Sequence, residues 1–182
     1  MADEMLTPRD LVEALPGLSG LILSEPKVVN WGYIATELET DLPRDFKELS
    51  LKFSAFEVGG FLRVWIPDAG YEDAYVEGIR YELETISYLV DDQASGGYAP
   101  YPNEGGLLPW GQSLDGDLFC WQTRDLDPNS WTVVIGGANG TWWEVEAGLL
   151  EFLVGLINGT FDTGELPPNV IVSESSVVSL VK

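Results

Sequence analysis

Asp115-Gly116-Asp117 sets two carboxylates two positions apart at the entrance to a run of strand-forming residues. Paired carboxylates carry general acid–base or glycosidase chemistry when one is held protonated and their separation is right. They also hold hard cations, but a calcium loop needs alternating oxygen ligands, a Gly at its sixth position and a Glu at its twelfth, and this run has no such pattern. The simpler reading is a turn leading into a strand, with Asp115 accepting from backbone amides and Gly116 supplying a positive φ.

Other chemistry is narrowed by absence. The chain has no His, which removes His-based triads, imidazole proton shuttles and every His-containing zinc site. Cys120 is the only cysteine, so neither an intrachain disulfide nor a thiolate cluster can form. It falls in a strand-like run with no base nearby except Arg124 and reads as an inert core thiol. Gly136 to Gly140 is Gly-rich but lacks Lys or Ser/Thr at phosphate-loop spacing, and reads as a hairpin turn. The expectation is a protein with no catalytic residue, no cofactor and no bound metal. A carboxylate hydrolase built on Asp115 and Asp117 is the enzymatic alternative.

The aromatic residues and the charge point elsewhere. Trp65, Trp121 and Trp131 fall in strand-like segments and are expected in the core, each burying on the order of 200 Å². Trp110, in a Gly- and Pro-rich stretch, and Trp142 are expected to be partly exposed and so suited to an interface. Thirty Asp and Glu oppose nine Lys and Arg, a formal net charge of -21. Such a field repels phosphate and sets aside nucleic acid and anionic membrane as partners. Between Asp68 and Asp117 the only base is Arg80, among Glu72, Asp73, Glu77, Glu82, Glu84, Asp91, Asp92 and Glu104. This is either a solvated face or proteome bias, or a surface that steers onto a basic protein and occupies its phosphate-binding groove. On the second reading the partner-binding candidates are Glu72, Asp73, Glu77, Asp91, Asp92, Glu104 and Trp110.

The elements that would position these residues follow from periodicity. At 182 residues with 45% hydrophobic residues, one domain needs no metal or disulfide to hold it. Thr7-Pro8-Arg9-Asp10 starts a short helix stopped by Leu15-Pro16-Gly17. Leu18 to Val29 reads as a loop or peripheral strand. Asn30 caps a helix with Trp31, Ile34 and Leu38 on one face, and Leu42-Pro43 restarts another with Phe46, Leu49 and Phe53 inward. Gly59-Gly60 ends that region, and Phe61 to Ile66 is a strand. Tyr75, Ile79, Leu83, Ile86 and Val90 define a long amphipathic helix. Gln93 to Gly111 reads as a loop. Asp117–Gln122 and Trp131–Ile135 are strands, Asn139-Gly140 turns a hairpin, and a helix from near Ala147 runs to Asn158-Gly159. The stretch from Val170 to Val181 contains a candidate edge strand. Helices and antiparallel hairpins interleave without βαβ regularity, so the class is α+β.

In this order the residues resemble a known family. Trp31, Ile34, Leu38, Leu42-Pro43-x-Asp45-Phe46-Lys47, Leu49 and Phe53, then Gly60-Phe61-Leu62 and Pro67, are similar to the front half of the SUKH superfamily, the Smi/Knr-type cell-wall regulators and bacterial immunity proteins. Gly106-Leu107-Leu108-Pro109-Trp110-Gly111, Ser113, Asp115-Gly116-Asp117, Cys120-Trp121, Asp127-Pro128, Trp131, Phe152-Leu153, Leu156 and Gly159 resemble its second half. The resemblance implies a single α+β domain over residues 30–160, with a mixed, largely antiparallel sheet and packed helices, preceded by an extension with a short helix (1–29) and followed by a tail (161–182). It also implies a non-enzymatic role in a bacterial protein, binding and neutralising a toxin domain, often a nuclease. The alternative it carries is a regulatory scaffold for an endogenous partner. The expected state is a monomer or weak homodimer. Asp3 and Glu4 stand where a secretory signal carries Lys or Arg, which leads to a cytoplasmic expectation.

Overall fold

The computed structural model describes residues 5–181, so Asp3, Glu4 and Lys182 lie outside it. The described residues form an α+β fold around one seven-stranded sheet. The helices are α1 (Pro8–Ala14), α2 (Trp31–Leu38), α3 (Arg44–Lys52), α4 (Glu72–Asp91) and α5 (Leu149–Asn158), with 3-10 turns at Pro16–Leu21 and Pro128–Ser130. The strands are β1 (Phe56–Val58), β2 (Leu62–Val64), β3 (Leu107–Ser113), β4 (Leu118–Gln122), β5 (Thr132–Gly136), β6 (Trp142–Val145) and β7 (Val177–Ser179). Their order across the sheet is β6-β5-β4-β3-β2-β1-β7, and every named pair is antiparallel. The α+β class and the largely antiparallel sheet are as expected, with no parallel pair among the named strands. The parallel contact present is an isolated bridge between Pro100 and Leu107.

Period-two alternation places the central strands between two apolar layers. Phe119, Trp121, Val133 and Ile135 face the main core, which α1, α3 and α5 cover. Leu118, Cys120 and Val134 face the opposite side, where Ile86 of α4 meets them. A strand buried on both faces reads as a continuous apolar run, as Leu118-Phe119-Cys120-Trp121 does.

β1 and β3 fall outside the sequence-based assignment. β1 has three residues, too few to show a period, and Gly59 and Gly60, both at positive φ, turn it into β2 rather than closing a helical region. Most of β3 falls in the stretch that its density of Gly, Pro and Tyr marks as loop, and Pro109 stands in its middle, where proline is excluded from most inner strands. The structure accommodates it at a β-bulge, where the register with β4 shifts between Pro109 and Gly111. Gly111 is needed because a Cβ there would come within 2.7 Å of the Arg63 carbonyl oxygen on β2. Trp110 faces the main core, as Leu108 does two positions before it.

The terminal segments join the same core. Leu11, Leu15 and Leu18 are buried in it, as are Leu166 and Ile171, and β7 closes the sheet edge against β1. The stretch 18–29 forms no strand, and Val170–Val172 lies outside the edge strand. Most of the family-motif residues pack as structural groups. Leu42, Pro43, Phe46, Pro109, Trp121, Trp131, Phe152 and Leu153 are buried, while Trp31 is half-buried with its ring edge-on to Phe46.

Asp45 ties α3 to α5. The α5 N-cap is Gly148, which has no side chain to offer, and Asp45 Oδ2 accepts from the Leu150 amide at 3.0 Å. Its other oxygen accepts from the Phe46 amide at 2.7 Å. Burial pushes the Asp45 carboxyl above its ordinary range, more than these amides pull it down. Because the folded value is raised, the group favours folding below its unfolded value, and that contribution is lost as pH rises through the folded value. Asp45→Ala should destabilise by about 1–2 kcal/mol, the cost of losing a helix cap. Asp45→Asn keeps an acceptor and should cost less. Denaturant titrations should show wild type gaining on Asp45→Asn as pH falls through the raised carboxylate value.

Candidate functional site

The carboxylate pair is a turn. Asp117 is buried, its Oδ2 accepting from Ser113 Oγ at 2.6 Å and its Oδ1 from the Ala138 amide at 2.9 Å. Gly116 has φ +97 as expected, but the side chain that holds a backbone amide is that of Asp117, not Asp115. Asp115 is exposed. Cys120 is buried, and burial first, then the charge of Glu82, pushes its thiol well above the ordinary value. Among the described residues no group of three or more Cys, Asp and Glu is placed to hold a metal ion, and no helix is long and apolar enough to cross a membrane.

Trp110 is the main correction among the partner-binding candidates. It is 0% exposed and packs on Phe119 and Phe152, so it cannot anchor an interface. Trp142 is half-buried, its Nε1 donating to the Ala94 carbonyl at 2.8 Å. Trp65, expected in the core, is half-buried beside a cleft.

The acidic candidates divide by their contacts. Glu72 is a clamp, its carboxylate accepting from the Asn30 amide at 2.8 Å and the Gly70 amide at 2.9 Å. The Asn30 amide, chiefly, holds its pKa below the ordinary range. Glu104 is exposed on the loop before β3, away from α4 in sequence and element. Asp73, Glu77, Asp91 and Asp92 are exposed along α4 and at its C-cap.

On α4 these acids share a face with two tyrosines. Residues 73, 77, 81, 84, 88 and 91 advance by four or three, which at about 100° per residue keeps them within about 40° of one direction. They are Asp73, Glu77, Tyr81, Glu84, Tyr88 and Asp91, and all six are exposed, Tyr81 at 68% and Tyr88 at 69%. At 1.5 Å per residue the stripe is roughly 27 Å long. Neither tyrosine figures among the sequence-derived candidates. The signal that finds them is the complement of the apolar face at 75, 79, 83 and 86, since the solvent side of the same helix is equally regular.

Seven of the nine bases are engaged elsewhere. Arg9, Lys27, Arg44, Lys47, Arg63, Arg80 and Arg124 each pair with a carboxylate, of Glu13, Asp68, Glu48, Asp41, Glu57, Glu37 and Glu144 respectively. None of these carboxylates belongs to the stripe. Asp91 and Asp92 also stand at the negative end of the α4 dipole, where acids are unfavourable.

Reversing them should show this cost directly. The double variant Asp91→Lys, Asp92→Lys should melt a few degrees higher than wild type by calorimetry, with an unchanged far-ultraviolet spectrum. A lower melting temperature would mean these acids support the fold. No family model, curated protein or solved structure matches this chain.

Proposed function

We propose that the chain is a non-enzymatic, SUKH-type protein-binding domain that neutralises a basic toxin domain, nuclease-type by its charge preference, in the cytoplasm of a bacterium. The observation that carries this reading is the acid–tyrosine stripe on α4, whose charges have no basic partner among the described residues while seven of the nine bases are paired elsewhere. Tyrosine combines a large apolar ring with a polar tip, and it is enriched where binding energy concentrates. Carboxylates around it accelerate encounter with a positive surface and discourage partners of like charge. Tyr81 and Tyr88 take the anchoring role that Trp110, buried in the core, cannot fill. Asp117, with both oxygens engaged, lends the hydrolase alternative no support.

Co-expression with the toxin encoded by the adjacent gene tests the proposal. The wild-type chain should restore growth and co-purify with the toxin domain. The variant Asp73→Lys, Glu77→Lys, Glu84→Lys, Asp91→Lys should associate roughly tenfold or more slowly, on the scale of electrostatic steering. The difference should shrink between physiological salt and 1 M, as the screening length falls from about 8 Å to about 3 Å. Stopped-flow association at the two salt concentrations reads both effects. An unchanged rate in each would make the stripe a solvated face.

A further inference from the structure

On the flank of α4 next to the stripe, an open cleft of about 510 Å³ separates the helix from the segment leaving β2. Its walls are Trp65, Ile66 and Pro67 on one side and Tyr71, Tyr75 and Tyr81 on the other. Tyr71 and Tyr81, each 68% exposed, form part of the rim, and Tyr81 belongs to the stripe as well. The volume is in the range of small-ligand sites.

Two carboxylates line the cleft, in opposite situations. Asp68 is compensated, because its Oδ1 accepts from Lys27 Nζ at 2.8 Å and from Ser54 Oγ at 2.7 Å. Glu82 is half-buried and has no ion pair or hydrogen bond among the described residues. Burial alone pushes its carboxyl above the ordinary range. Close by, Tyr75 Oη is buried without a hydrogen-bond partner, and Gln112 offers a side-chain amide. A half-buried, uncompensated carboxylate lining an aromatic cleft is favourable for a cation and costly for a neutral apolar guest.

We propose that this cleft receives the guanidinium of an arginine side chain presented by the partner protein, with Glu82 as counter-ion and Trp65, Tyr71, Tyr75 and Tyr81 as aromatic walls. Arginine fits better than lysine. Its planar group stacks on aromatic faces, is more weakly hydrated than an ammonium, and offers five donors to Glu82 and the Gln112 carbonyl oxygen. A metal ion would find a single free carboxylate among aromatic rings. The inference rests on the protein-binding reading and names the residue class that the partner contributes.

The test uses the full chain and two capped tripeptides, Gly-arginine-Gly and its uncharged isostere Gly-citrulline-Gly, followed by the indole N–H resonance of Trp65. The arginine peptide should shift that resonance in a saturable way, and the citrulline peptide should bind roughly tenfold or more weakly. Glu82→Gln, with a melting temperature no lower than wild type, should reduce arginine binding to the citrulline level. Tyr71→Ala, at an exposed rim position, should weaken it several-fold. Equal binding of the two peptides, unchanged binding by Glu82→Gln, or no shift at the highest soluble concentration would each overturn the proposal. Toxin rescue separates this from the broader reading. If the stripe reversal slows association and Glu82→Gln leaves it unchanged, the cleft proposal fails alone. If the peptide result holds and no toxin is neutralised, the toxin reading fails alone.

Discussion

Trp110 joins three groups that would otherwise pack separately. Its ring lies 5.5 Å from Phe119 on the neighbouring strand, 5.9 Å from Phe152 on α5 and 6.4 Å from Trp121, which in turn meets Phe46 on α3 at 5.1 Å. The sheet, α3 and α5 therefore share one aromatic column. A buried Trp removes about 200 Å² from water, on the order of 5 kcal/mol. Trp110 Nε1 and Trp121 Nε1 are buried without partners, which costs about 1–3 kcal/mol each. Area burial outweighs the two orphaned donors, so the column is stable despite them. It depends on β3 being an inner strand, whose period-two alternation puts Trp110 on the same core face as Leu108.

That column leaves α4 in a distinct position. α3 and α5 are held through the aromatic contacts and the Asp45 cap, whereas α4 divides, with Val76 and Ile79 in the main core and Ile86 in the smaller cluster with Leu107 and Cys120. A helix covering a sheet face only in part leaves space beside it, and the cleft at Trp65 and Glu82 is one such space. The same helix carries acids that pair with no base among the described residues. Charge, tyrosine and cavity thus converge on one element through packing: α4 is where the core ends and solvent-facing chemistry begins.

Local rules account for much that was legible in the chain. Asn30 accepts from the Tyr33 amide at the start of α2, Gly159 ends α5 in the left-handed conformation, and Asn139-Gly140 lies in the turn joining β5 to β6. The α4 period is strong over 20 residues, and it already contained the tyrosine stripe on its outer side. The charge imbalance needed only counting. These features depend on contacts within a few residues or on composition, so the sequence by itself determined them.

The rest was decided by residues distant in the chain. Whether Pro109 ends a strand or lies in a bulge depends on β2 and β4 pairing on either side of it. The exposure of Trp110 followed from that choice, and so reversed. Asp45 caps a helix 105 positions away, where Gly148 has no side chain to do so. Glu82 looks like any other acid on an acidic helix until Lys27 is seen to compensate Asp68 and leave it alone. Each of these outcomes turns on which groups share a buried volume, and burial is a property of the closed fold. Secondary structure and charge could therefore be read from the sequence, while the inward turn of Trp110 and the uncompensated carboxylate in its aromatic cleft came only with tertiary packing.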